Sequence, residues 1–155
     1  MKTLVLYATK YGATHEIAKR IAEKLDEAPL HDLKQSVPDL TGYDCVIVGS
    51  SVYAGFFRKE AKTFLSKNTD VLRQKKLGLF VSGMSSAEED QVFAGNVPKE
   101  VLQSAKATAF LGGIFDPKKA NFAERAIFKL AAKQSAYSDK IDDNKISRFT
   151  EEMKD

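Results

Sequence analysis

The residues best suited to chemistry stand in one short run, Thr9-Lys10-Tyr11-Gly12-Ala13-Thr14, between an apolar stretch at 4–8 and a stretch with helical spacing. Two hydroxyls, the backbone N–H groups of a tight loop and the positive end of a helix dipole converge at such a junction. Together they can satisfy a phosphate without a metal. Gly12 permits a backbone geometry and a close approach that a Cβ would obstruct. The run matches neither the dinucleotide fingerprint G-x-G-x-x-G nor the P-loop pattern G-x-x-x-x-G-K-[ST]. An ordinary strand-to-helix turn with Thr14 as cap would use the same residue types. His15, in the first helical turn, could add positive charge beside a phosphate or simply face solvent.

Other chemistries find little support. The two histidines and Cys45 stand apart, so no cluster has metal-ligand spacing. Neither a nucleophile elbow nor a Ser/His/Asp set is present. One cysteine excludes a disulfide framework within the chain, and Cys45 in Cys45-Val46-Ile47-Val48 reads as a small buried hydrophobe. A net charge of +3 is too weak and dispersed to point to nucleic acid. No apolar run approaches the ~18 residues of a membrane span, and the stretch after Met1-Lys2 is too short for an export signal. A cytoplasmic location is expected.

The elements that must position the first turn follow from the apolar pattern. Near-continuous apolar runs at 4–8, 45–49, 77–81 and 108–112 suit strands buried on both faces of a parallel sheet, with a weaker edge strand at 30–33. Between them lie helical stripes: Ile17, Ala18, Ile21, Ala22 and Leu25, then Ala61, Phe64 and Leu65, then Val101, Leu102 and Ala105 after Pro98. Phe122, Ala123, Ala126, Ile127 and Leu130 form another, and Ile146, Phe149 and Met153 the last. Strand alternating with helix five times predicts one doubly wound α/β domain spanning 1–155, a parallel five-stranded sheet with helices on both faces. Ligands bind such sheets beyond the carboxyl ends of the strands, at the point where the strand order reverses. Three turns should meet there: 9–14, 50–57 and 82–86.

Residues 2–25, with Thr9-Lys10-Tyr11-Gly12-Ala13-Thr14 at their centre, resemble the opening of flavodoxin-family proteins. The resemblance implies a flavodoxin-like sheet of order 2-1-3-4-5 and one FMN, with this loop around its phosphate; flavodoxin is a known example of the switch-point rule. It also implies that Ser50, Ser51, Val52, Tyr53, Ala54 and Gly55 line the flavin, with Tyr53 against the ring system and Gly55 as a mobile peptide. Phe56 and Phe57 would pack beneath that loop. The backbone of Ser82, Gly83, Met84 and Ser85 would meet the pyrimidine edge, with Met84 in place of a second aromatic wall. A response-regulator receiver of the same topology would need acidic residues where Thr9 and Ser50-Ser51 stand.

Further along, Gly112-Gly113, the stretch 122–130 and Ser147-Arg148-Phe149 resemble the flavodoxin-like protoporphyrinogen dehydrogenases that pass electrons to quinones. Between 117 and 133 lie Lys118, Lys119, Arg125, Lys129 and Lys133 against Glu124 alone, with Phe128 beside Arg125 and Lys129 on a helical wheel. Such a face could meet an anionic membrane surface or an acidic partner, or be merely solvated. Three readings follow: an FMN electron carrier serving redox partner proteins, a quinone-linked protoporphyrinogen IX dehydrogenase, and a fold that only binds or senses a ligand. Electron transfer leads. Arg58 and Lys59, just beyond Gly55, are expected to make the flavin easier to reduce than in acidic flavodoxins.

Overall fold

In the computed structural model, which describes residues 1–85, 88–119 and 137–155, the apolar runs become a parallel sheet. Its strands are β1 (Thr3–Ala8), β2 (Leu30–Asp32), β3 (Cys45–Tyr53), β5 (Lys76–Ser82) and β6 (Ala107–Phe110), in the order β2-β1-β3-β5-β6. The two-residue β4 (Phe56–Phe57) hangs antiparallel on the end of β3. Setting β4 aside, the order is the expected 2-1-3-4-5. Counted outward from β1, the chain moves first to one side and then to the other, so the crevice between β1 and β3 is the switch point.

Alternation within each strand divides the core into two layers. Leu4, Leu6, Val46, Val48, Leu77, Leu79 and Val81 face α2 (Lys59–Lys67), α3 (Thr69–Arg73), α4 (Glu89–Asn96) and α5 (Lys99–Ser104), meeting Phe64, Leu65, Leu72, Phe93 and Val101. Val5, Cys45, Ile47 and Phe80 face α1 (Ala13–Lys24) and the C-terminal helix α6 (Asp143–Lys154), meeting Ile17, Ile21, Ile146, Phe149 and Met153. Cys45 is fully buried, and that burial pushes its thiol above the usual range. The helical stripes at 17–25, 61–65 and 146–153 thus mark the buried faces. The stripe at 122–130 and most of the basic stretch 117–133 lie outside the described residues.

Helix boundaries have local causes. After Lys24, Asp26 and Glu27 both take φ +55°, and Val5 then donates to the Pro29 carbonyl, which starts β2 beside β1. Pro98, with φ −53°, precedes the first turn of α5. Asp142 caps α6, its carboxylate accepting from the Lys145 N–H at 3.1 Å. Two differences from the apolar pattern bear on the site. β3 runs four residues past the run that ends at Gly49, and β6 stops two residues before Gly112. Gly112, with φ +86°, lies where a Cβ would fall 2.0 Å from the Lys140 carbonyl oxygen, so the chain turns there around a neighbouring backbone.

Gly49 leaves room for the Phe80 ring, whose Cζ lies 2.0 Å from where a Gly49 Cβ would stand. That ring also meets Phe149 edge to face, with centroids 6.2 Å apart. Gly49→Ala must therefore displace a fully buried aromatic, and is expected to destabilise the fold by roughly 1–3 kcal/mol. Gly95, exposed in the last turn of α4 with no atom within 4 Å of a built Cβ, is the matched contrast. Gly95→Ala is expected to stabilise by roughly 0.5–1 kcal/mol through helix propensity. Urea midpoints at constant slope check both; opposite signs are required, and two destabilisations would contradict the packing described.

Candidate functional site

The first turn opens at the carboxyl end of β1. Thr9 accepts a hydrogen bond from the Gly12 N–H at 2.9 Å, which closes the loop on itself. Gly12 then takes φ +101° and stands as the N-cap of α1, whose end carries no side-chain cap. The first helical carbonyl engaged is that of Gly12, from Glu16. The N–H groups before Glu16 have no partner within the helix and lie at the positive end of its dipole. A Cβ built on Gly12 meets nothing within 4 Å, so the glycine serves the backbone conformation rather than a tight protein contact.

Thr14 is fully buried, and its hydroxyl lies 2.6 Å from that of Ser82 at the end of β5. The bond ties the first turn to the third. Ser50 is likewise occupied: its hydroxyl accepts from the Arg58 N–H at 2.9 Å and donates to the Ser51 carbonyl at 2.9 Å. The second turn is a hairpin. Tyr53 pairs with Phe56 across Ala54 and Gly55, which have φ +51° and +84°. Phe56 is exposed, under Lys62 at 5.7 Å, whereas Phe57 is buried against Phe93.

These turns line one open cleft, with about 520 Å³ of atom-free space when the part open to solvent is counted. From the first turn it is lined by Thr9, Lys10, Tyr11 and Ala13, and from the second by Ser51, Val52 and Tyr53. Ser82, Gly83 and Met84 line it from the third. Gly12, Thr14, Ser50, Ala54, Gly55 and Ser85 do not line it: the first three shape its walls, Ala54 and Gly55 form the hairpin tip, and Ser85 borders the undescribed pair 86–87. Lys10 stands over the rings of Tyr11 and Tyr53, at 5.2 and 5.7 Å from their centroids.

Three further lining residues come from outside the expected set: Arg58, Gly113 and Ile114. Arg58 Nε lies 4.0 Å from Glu60 Oε2, too far for a hydrogen bond, and both atoms are buried without a partner. Gly113 approaches the third turn so closely that its Cβ would lie 2.7 Å from the Gly83 carbonyl oxygen, while Gly83 N–H donates to Gly112 at 3.0 Å. The pair Gly112-Gly113 after the last strand was the sequence signal for that approach. Of the acidic group Glu88, Glu89 and Asp90, none lines the cleft; Glu89 accepts from the Phe110 N–H at 2.7 Å, at the edge of the sheet.

Comparison with known proteins bears on what such a cleft holds. The curated relatives include protoporphyrinogen IX dehydrogenase [quinone] of Escherichia coli K12, 33% identical over 75 residues. That alignment covers 44% of this chain and 40% of the relative, so the chain matches less than half of the length of its curated relatives. Among solved structures, a short-chain flavodoxin associated with a non-canonical PDU bacterial microcompartment superposes with a TM-score of 0.61 at 17% identity, covering 99% of this chain and 97% of that one. Flavodoxin 2 from Bacillus cereus gives 0.57 at 23% identity, covering 86% and 100%. A flavoprotein in complex with FMN from Lactobacillus acidophilus also gives 0.57, at 17% identity over 70% and 92%. At those identities the likeness is one of fold. The model of the flavodoxin domain matches residues 4–142. By that match, over nearly its whole length, the chain belongs to the flavodoxin domain family.

Proposed function

We propose that the cleft binds FMN and that the protein transfers electrons through it. The observation that carries this reading is the meeting of three turns, at the ends of β1, β3 and β5, in one cleft beside the N-terminus of α1. Bound FMN supplies one- and two-electron redox chemistry. The residues supply the rest. The first turn offers N–H groups and a helix dipole to the phosphate, with the Thr9 hydroxyl holding the loop and Lys10 at its edge. Tyr53 offers an aromatic face to the ring system, and Tyr11 a second ring in contact with Lys10. The backbone of Ser82, Gly83, Met84 and Ser85 offers hydrogen bonds to the polar edge of the flavin. The orphaned Arg58 Nε at the cleft wall fits an acceptor or anion brought by the cofactor.

Redox partner proteins are the acceptors on this reading. Oxidation of protoporphyrinogen IX with a quinone is the alternative, favoured by the E. coli relative. Peripheral membrane contact through 117–133 rests on sequence alone. Among the described residues no helix is long and apolar enough to cross a membrane. The single buried Cys45 suits a reducing cytoplasm.

Purified protein is expected to be yellow and to release a flavin with the mobility of FMN; release of FAD, or refusal of FMN at micromolar concentration, removes the proposal. Anaerobic incubation with protoporphyrinogen IX and a quinone separates the two readings. The carrier reading expects no quinone-dependent porphyrin fluorescence above the rate without protein.

Gly12→Val forces a β-branched residue into φ +101° and turns the loop's amides away from the phosphate. FMN affinity is expected to fall by of order 100-fold, about 2.7 kcal/mol, with far-UV circular dichroism kept. An unchanged dissociation constant would take the phosphate out of this turn.

Arg58→Gln addresses the charge of the cleft. Reduction places negative charge on a bound flavin, and a unit charge even about 10 Å away contributes roughly 1.7 kcal/mol at an effective dielectric near 20, before screening. Glu60, 4.0 Å from Arg58, cancels part of it. The midpoint potential of bound FMN is expected to fall by some tens of millivolts, on the order of 1 kcal/mol. A potential that stays or rises shows that Arg58 does not tune the flavin.

A further inference from the structure

The β3–β4 turn has little support from its own residues. Ala54 and Gly55 both lie at positive φ, the pattern of a type I′ hairpin, for which Asn-Gly is the favoured pair. The alanine carries the clash of its Cβ with the following carbonyl that any left-handed L residue meets. Only two residue pairs, Val52 with Phe57 and Tyr53 with Phe56, form the ladder. A two-stranded hairpin of that length is marginal in water.

Beside the Ser50 hydroxyl on the Arg58 N–H and the packing of Phe57 on Phe93, the turn itself is held from the end of α4. Asn96 is 7% exposed. Its Oδ1 accepts from the Phe57 N–H at 3.0 Å, and its Nδ2 donates to the carbonyls of Gly55 and Val92, each at 2.8 Å. Both sides of the turn are thus clamped by one amide, which is itself fixed to its own helix. Tyr53 before the turn and Arg58 after it line the cleft, so the geometry of the turn is the geometry of one cleft wall.

We propose that Asn96 is a positioning residue for the cofactor cleft: by clamping Gly55 and Phe57 it holds the strained turn and sets Tyr53 and Arg58 in place. The effect on the cofactor rests on the FMN reading; the clamp itself does not. Asn96 touches no cleft surface and acts through the hairpin.

Asn96→Ala removes all three bonds, and Ala54→Asn supplies the pair that the turn prefers, so the double variant should hold its turn without the clamp. In apoprotein, amide exchange at Tyr53 and Phe56, followed by NMR, is expected to quicken about 10-fold or more in Asn96→Ala and to return towards wild type in the double variant. In FMN-loaded protein the dissociation constant is expected to rise about 10-fold and flavin fluorescence to increase, both reversing in the double variant. Should Asn96→Ala fail to fold, Asn96→Asp carries the same expectations: it keeps an acceptor for Phe57 but sets a carboxylate oxygen against two carbonyls. Unchanged exchange overturns the clamp. Failure of Ala54→Asn to restore exchange and affinity overturns it too, because Asn96 would then act on α4 alone. Wild-type protein that takes no FMN overturns only the reading beneath, and the exchange data still decide the clamp.

Discussion

The buried hydrogen bond between Thr14 and Ser82 is the contact on which the site depends. Both hydroxyls are shut off from water, so each needs the other: a buried polar group left unpaired loses roughly 1–3 kcal/mol. The bond spans the two layers of the architecture that matter here, joining the first turn of α1 to the carboxyl end of β5. Everything around the cleft is referred to it. With α1 held there, its unpaired N–H groups open beside Ala13 on the cleft surface, and Gly83 and Met84 are carried to the facing wall. A threonine engaged in this way has already made one of its hydroxyl's bonds inside the protein. An anion bound here would meet backbone donors first, in the arrangement that a loop with a left-handed glycine provides.

Close backbone approach is the second constraint. Phe80 fills the space that Gly49 leaves on the α1–α6 face, and Gly113 nests against Gly83 where no side chain fits. Both glycines sit on or just beyond strands that flank the cleft. The first lets a large ring bind three elements together beneath the sheet ends, and the second seals the cleft on the β6 side. Aromatic packing beneath the sheet at Gly49 is close enough to tolerate little added volume.

Much of this was legible in the sequence, for definable reasons. Parallel strands buried on both faces must be continuous apolar runs, so four of the five showed themselves, and Ile17 through Leu25 named a helix by spacing alone. The first turn was legible because strand, glycine and helix start adjoin in the chain. The second was not read as a hairpin. Ser50, Ser51 and Tyr53 carry hydroxyls where the apolar run has ended, and Ala-Gly is a poor turn signal. Its true support, Asn96, stands some forty residues away, inside a helix whose residues show little amphipathic pattern. Long-range polar bonds of that kind leave no periodicity to detect. Arg58 could be noticed as a charge, but only the fold shows that it lines the cleft while Lys59, its neighbour, is exposed.

Charge around the cleft is distributed by the same geometry. Backbone dipoles at the N-terminus of α1 suffice for an anion at the first turn, which leaves the side-chain cations for other work. Lys10 lies over Tyr11 and Tyr53, and so brings its charge to the aromatic wall rather than to the helix end. Arg58 stands at the same wall, 4.0 Å from Glu60, too far for a hydrogen bond but near enough for the carboxylate to offset part of its charge. The acidic residues that begin α4 are directed to the β6 edge, where Glu89 caps the Phe110 N–H. Positive charge is thus concentrated on the hairpin side of the cleft and negative charge on the far side of the third turn. A ring system bound against Tyr53 would lie on the cationic side. An electron arriving there would meet Lys10 and Arg58, the latter partly offset by Glu60, nearer than the carboxylates of α4. The hairpin that carries this wall is clamped at its turn by the Asn96 amide, so the electrostatics of the site and the mechanical hold on its second turn are coupled.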